Sequence, residues 1–247
     1  MQRKAVLLLA LVFLLAGLAV FAYPRAQEIA VMNAMKHQTQ SFLQLAEPPE
    51  QDPSNPTEPG PARPQKKTRK YESLWTAMNA YNRKLFQEKQ KNLRDPWSYE
   101  QPSFNLSDFG LEDEVFGVLT IPSLELEMPI YLGASWTHMA DGAAHLSQTS
   151  LPIGGNNTNC VIAGHRGWGG APYFRYLTDL EPGDKVEIRN LWETLHYEVS
   201  EIQIIAPNEV EAIHIRPGRE LLTLLTCHPY ASGGRQRYLV ICERRDA

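Results

Sequence analysis

Cysteine is scarce in this 247-residue chain: Cys160, Cys227 and Cys242 are all it has. An odd, low count argues against a disulfide framework, so a packed core must carry stability, and one thiol is open to being kept for its reactivity. Long basic runs and basic-aromatic stripes are missing too. With a net charge of -4, nothing points to nucleic acid as a partner. The short KKTRK run, Lys66 to Lys70, reads as solvated linker. His37, His138, His145, His196 and His214 show no metal-ligand spacing, so neither a metal nor a cofactor is expected. No second long apolar run follows the first, and the sequence closes on a charged stretch, CERRDA.

The first apolar run is Ala5 to Tyr23, uncharged and preceded by Arg3 and Lys4. At about 1.5 Å per residue it is just long enough for a bilayer core of roughly 30 Å. Positive charge before it holds the N-terminus inside and sends the rest of the chain outward. A cleaved signal peptide competes, with Val20-Phe21-Ala22 as the cleavage site. The length of the run and Pro24 just beyond it favour an uncleaved anchor. Either reading places the chain beyond the cytoplasmic membrane.

Four regions follow: an anchor over 1–26, a short helix and linker over 27–70, a helical segment over 71–110, and a β-rich domain over 111–247. Gln27 to Ala46 suits a short amphipathic helix. Glu47 to Lys70 is rich in proline and poor in apolar residues, which predicts an extended linker. Tyr71 to Leu93 predicts a helix, because Leu74, Met78, Tyr81 and Leu85 recur at helical spacing, with Trp75 and Phe86 widening that face. Asp95-Pro96 is its expected stop. From Val115 on, short β-prone runs alternate with turn residues: VFGVLTI, MPIYL, CVIAGH, KVEIRN, LHYEVSEIQII, LLTLLTC and RYLVIC. That spacing predicts a mostly β domain, a barrel or a sandwich, with a minor helix near Tyr173 to Leu180.

Three residues stand out chemically. Cys227 ends the apolar run Leu221 to Leu225, where a polar turn begins, so its thiol is both fixed and reachable; the competing role is a small buried hydrophobe. His165 follows the strand Cys160 to Ala163 at the start of a glycine-rich loop, where a turn-capping histidine is the plain alternative. Arg237 opens the last strand ten residues after Cys227, and a fixed guanidinium there can stabilise an oxyanion; the alternative is a surface arginine. A cysteine nucleophile needs a nearby base, because the thiolate is the attacking species. His228 is a poor base for Cys227, since neighbours in an extended chain face opposite sides. Cys160 and Cys242 fall inside apolar strands and read as packing residues.

Taken together, these pieces resemble the sortase family, and within it the class C, pilus-assembling sortases. The family's TLxTC motif stands here as TLLTC, Thr223 to Cys227, and its histidine motif as AGHRG, Ala163 to Gly167. The arginine before the final strand matches Arg237 in QRYLV, with Arg235 the weaker candidate. HLSQTSLPIGG and IPSLELEMPIYLG are also similar to family segments. The class C assignment rests on Asp95-Pro96-Trp97, which resembles the motif of a lid over the active site. The resemblance implies that Trp97 packs over Cys227 and that Asp95 pairs with Arg237; the plain reading is a helix stop. A second membrane segment, common in class C, is not found here.

The resemblance implies a closed eight-stranded barrel with short helices, preceded by the membrane anchor and the lid segment. It implies a cysteine transpeptidase in which Cys227 is the nucleophile, His165 the general acid/base and Arg237 the oxyanion stabiliser. The implied substrate is an LPXTG-like sorting signal on a pilin or surface protein. The implied acceptor is an amine, a pilin lysine or a cell-wall precursor. The implied location is the outer face of a Gram-positive membrane, in a single-pass protein. The rival readings are a cell-wall cysteine peptidase, an L,D-transpeptidase, a housekeeping sortase that anchors proteins to peptidoglycan, and a non-catalytic wall-binding module.

Overall fold

The computed structural model describes residues 2–46, 69–93, 102 and 104–246. Eight strands close into a barrel: β1 (Val115–Ile121), β2 (Leu126–Leu132), β3 (Ala143–His145), β4 (Thr158–Ala163), β5 (Lys185–Arg189), β6 (Thr194–Ile205), β7 (Glu220–His228) and β8 (Gln236–Arg245). Their order around the barrel is β1-β2-β3-β4-β7-β8-β6-β5. Closure gives every strand a neighbour on each side, so the sheet has no open edge strand.

The alternation of each strand divides its side chains between two apolar layers. Leu119, Ile121, Met128, Ile130, Ile162, Val186, Ile188, Leu222, Leu224 and Val240 fill the main core. The opposite faces of β4, β7 and β8 send Val161, Ala163, Leu225 and Leu239 into a second cluster closed by Ile213. Cys160 and Cys242 are buried in the main core, as their apolar strands imply. Seven strands coincide with the runs read from the sequence. The eighth, β3, is three residues long, too short for any period to register.

Helices buttress one side. α1 (Gln2–Leu45) is a single helix with Pro24 inside it, where the sequence suggested an anchor and a separate helix after residue 26. Proline removes one backbone donor and crowds the preceding turn, but one such defect does not end a helix whose neighbouring turns are intact. Beyond the apolar run, Met35, Thr39, Phe42 and Ala46 are buried at helical spacing, and α1 lies along β1 and β2.

α2 (Glu72–Gln87) buries Leu74, Met78, Asn82 and Leu85. It ends earlier than Asp95-Pro96 because Lys89 and Gln90 take left-handed φ angles of 54° and 47°. Phe86, read as part of the apolar face, is exposed. Asn82 takes a place in the buried stripe instead, because its amide bonds both backbone groups of Leu151, at 2.8 and 3.3 Å. Gln90 adds a bond from its side chain to the carbonyl of Gln148 and accepts one from the Ile215 amide. Where the linker was read to run through Lys70, Arg69 already lies over the Trp75 ring, and the carbonyl of Lys70 accepts the Trp192 indole N–H. A third helix, α3 (Trp136–Asp141), is capped by the Ser135 hydroxyl. The minor helix expected near Tyr173 to Leu180 is a single 3-10 turn over Leu177–Asp179.

Candidate active site

β7 and β8 are antiparallel, and Cys227 is the register partner of Arg237. Directly opposed residues point to the same face, so thiol and guanidinium leave the sheet on one side. That face is the one that carries Leu225 and Leu239. The loop between the strands folds back over the pair. Gly234 has φ +79°, and a Cβ built on it would sit 3.3 Å from Cys227 Sγ and 3.1 Å from Arg237 Nη1. Arg237 is buried, 3% exposed, and its Nη1 donates to the carbonyls of Gly234 at 2.6 Å and Gln236 at 3.2 Å. Arg235, the weaker candidate, is exposed.

His165 reaches the same level by a different route. β4 and β7 run parallel, with Ala163 beside Leu225. The Gly164 amide donates to the Leu225 carbonyl at 3.0 Å, and the Thr226 hydroxyl donates to the Gly164 carbonyl at 2.8 Å. His165 lies two residues past Ala163, just as Cys227 lies two past Leu225. The ladder and these two hydrogen bonds run the chain into His165 beside the end of β7, and paired strands are about 4.8 Å apart. Gly164 is obligatory here, because a Cβ would sit 2.7 Å from the Phe174 ring.

His165 is 9% exposed, its ring stacked on Trp168 at 4.9 Å and edge-on to Tyr173 at 6.1 Å. Burial among these rings lowers its pKa below the ordinary value. At neutral pH the ring is then predominantly neutral and able to accept a proton.

His228 faces the other way, as strand alternation requires. Its ring stacks on Tyr238 at 5.6 Å, and its Nδ1 accepts from Arg166 Nη1 at 2.7 Å. Partial desolvation and the Arg166 charge lower its pKa. The bond to His228 joins the residue after His165 to the residue after Cys227, and Arg166 also donates to the Thr178 hydroxyl. Neither this bridge nor the Trp168 stack was read from the sequence. The run of glycines Gly167, Gly169 and Gly170, all with positive φ, was the available signal that the loop turns back on His165.

Asp95, Pro96 and Trp97 lie outside the described residues. Among the described residues, no group of three His, Cys, Asp or Glu side chains is arranged to hold a metal ion.

Residues 119–245 match the family model of the sortase domain. The chain belongs to the sortase family. Among curated sortases, it is 28% identical over 130 residues to Sortase D of Bacillus subtilis, covering 52% of this chain and 63% of the relative. It is 32% identical over 117 residues to Sortase A of Streptococcus agalactiae, covering 46% and 47%. The chain thus spans between about half and just under two thirds of the length of these curated sortases. Among solved sortases, the fold is similar to Sortase C1 of GBS Pilus Island 1, with TM-score 0.69, 27% identity, and 86% of this chain and 93% of that one covered. It is also similar to sortase C-1 from Actinomyces oris, with TM-score 0.63, 34% identity, and 72% and 100% covered. The closed eight-stranded barrel expected from the sequence is the barrel this family shares.

Proposed function

We propose that the chain is a membrane-anchored cysteine transpeptidase with Cys227 as nucleophile, His165 as general acid and base, and Arg237 as oxyanion stabiliser. The observation that carries the reading is the double register: Cys227 opposite Arg237 in one ladder, and Ala163, two residues before His165, beside Leu225, two before Cys227, in the next.

The Cys227 thiol gives its proton to the neutral His165 ring, and the thiolate attacks the carbonyl carbon of the scissile peptide bond. Negative charge collects on the carbonyl oxygen, where the Arg237 guanidinium lowers its energy. The C–N bond breaks, His165 returns its proton to the departing amine, and a thioester to Cys227 is left. An incoming amine attacks that thioester, loses a proton to His165, and expels the thiolate. One peptide bond is broken and one amide formed, with no net redox change.

The substrate class is an LPXTG-like sorting signal, and the acceptor an amine, with a pilin lysine favoured over a wall precursor. The support is the likeness to sortases whose names attach them to pili. Asp95 and Trp97 are proposed as a lid over the pocket. α1 is long and apolar enough to cross a membrane by length and composition, which supports a single-pass anchor with the barrel on the outer face of a Gram-positive cell.

The test is incubation with a sorting-signal peptide and mass spectrometry of the protein. An acyl adduct should map to Cys227, vanish in Cys227→Ala, and persist in Cys160→Ala and Cys242→Ala. Adding an amine should shift the product of the thioester from free acid to amide. An adduct surviving Cys227→Ala rejects the assignment, and acid as the sole product with amine in excess makes the protein a hydrolase.

A further inference from the structure

α1 does more than tether. Its first turns, through Tyr23, are exposed and apolar, and the helix then continues through Pro24 without a break into the part that packs on the barrel. Two points fix that packing. Phe42 is buried in the cluster shared with Leu74 and Met78 of α2. Met35, with Val31 against it, is buried in the cluster that holds Ala171 and Tyr173. A helix held at two points cannot swivel freely, so the direction in which the apolar run leaves the domain is set by the fold.

It leaves beside the proposed mouth. The Pro24 carbonyl oxygen is 3.2 Å from the point a Cβ on Gly170 would occupy, and Glu28 Cα is 3.8 Å from it. Gly170 lies in the tight bridge Trp168–Ala171, whose ends exchange two backbone hydrogen bonds at 3.0 and 2.9 Å. α3 packs on α1 as well and begins with Trp136. The rings of Trp136 and Trp168 meet edge to face at 5.4 Å. Among the described residues these are the two exposed tryptophans, 52% and 42% exposed. Trp168 also stacks on the His165 ring at 4.9 Å.

Indole is favoured at the boundary between hydrocarbon and water, with its ring among the headgroups and its N–H in reach of polar partners. The last residue of the apolar run, Tyr23, immediately precedes Pro24. When that run spans a bilayer, Pro24 lies at the lipid boundary and the Trp168–Ala171 bridge lies level with it.

We propose that Trp136 and Trp168 seat in the headgroup region of a phospholipid bilayer, holding the His165 side of the mouth against the membrane surface. The occupant argued for is lipid, because the patch is continuous with the spanning helix. The proposal rests on reading α1 as a membrane span, and the experiment separates the two.

The full-length protein would be reconstituted into phosphatidylcholine–phosphatidylglycerol vesicles that contain lipids brominated on the acyl carbons nearest the headgroup. Flotation is scored first: protein that fails to float with vesicles refutes the span itself. For floated protein, tryptophan fluorescence is compared with and without bromolipid in the native protein and, in a Trp97→Phe background that removes the fifth tryptophan, with Trp136→Phe, Trp168→Phe and both. Trp75, on α2, packs against Trp192 in the apolar cluster beneath the helix, and the pair serves as an internal unquenched reference. The expected result is strong quenching of the native protein, weakened in each single variant and mostly lost in the double. Quenching of floated protein that is unchanged in the double variant overturns the lipid contact. An unquenched native protein whose tryptophan emission responds instead to soluble sorting peptide also overturns it and assigns the patch to the peptide.

Discussion

Two adjacent glycines at the turn into β8 separate backbone cost from active-site cost. Gly233 and Gly234 both hold positive φ, +70° and +79°. Alanine at either carries the left-handed penalty, about 1 kcal/mol, so urea denaturation should show the same stability loss in Gly233→Ala and Gly234→Ala. Their side-chain surroundings differ. A methyl on Gly233 meets nothing within 4 Å, whereas one on Gly234 sits 3.3 Å from Cys227 Sγ and 3.1 Å from Arg237 Nη1. Optimal contact lies at roughly 3.5–4.0 Å, so sulfur and guanidinium must each retreat by a few tenths of an ångström. A misplacement on the order of 1 Å costs about 100-fold in rate, so the smaller shift should lower kcat/KM about tenfold. Peptide cleavage with active-site titration measures this, and alkylation of Cys227 reports the sulfur independently. Gly233→Ala should keep near-native kcat/KM per folded molecule. Equal activity in the two variants would refute the placement of Gly234 against the thiol and guanidinium.

Buried His145 makes stability depend on acid. Its Nε2 donates to the carbonyls of Thr149 and Ser150, and desolvation lowers its pKa from 6.5 to about 4. A histidine depressed in the folded state stabilises above its unfolded pKa and loses that contribution as pH falls from 6.5 toward 4. Between pH 7 and pH 5 the loss is about 2 kcal/mol. Urea titrations of native protein and His145→Gln should differ in pH slope by that amount, and parallel slopes would exclude the residue. Removing the indole over His165 should readmit water: Trp168→Ala should raise the His165 pKa and move the acid limb of kcat/KM to higher pH, where an unmoved limb would count against a desolvated base. Arg166→Gln removes a cation from His228 Nδ1, so NMR titration should show the His228 pKa rising toward its ordinary value.

What could be read in the sequence followed local chemistry. Apolar alternation bounded by glycine, proline and asparagine marked seven strands, and the antiparallel return from Cys227 to Arg237 was a short loop away. That the chain after β4 runs beside the end of β7 was not readable from spacing. It depends on a parallel pairing across 62 residues, which no local pattern encodes and which only the family's motifs implied. The continuity of α1 was hidden by Pro24, a residue that breaks isolated helices more readily than anchored ones. Asn82 was passed over as a packing residue because its amide satisfies a backbone pair, a relation visible only when Leu151 is brought beside it.

The position of β8 has a consequence for biogenesis. It follows the other seven strands along the chain, yet it lies between β7 and β6 in the wall. Synthesis from the N-terminal end presents Cys227 before the strand that brings Arg237 to it. Until that strand slots between two already synthesised neighbours, the cylinder is open and the sulfur has no guanidinium beside it. Such non-local closure is slow on the folding timescale, so newly made molecules should pass through an interval in which the Cys227 thiol is present without its guanidinium partner.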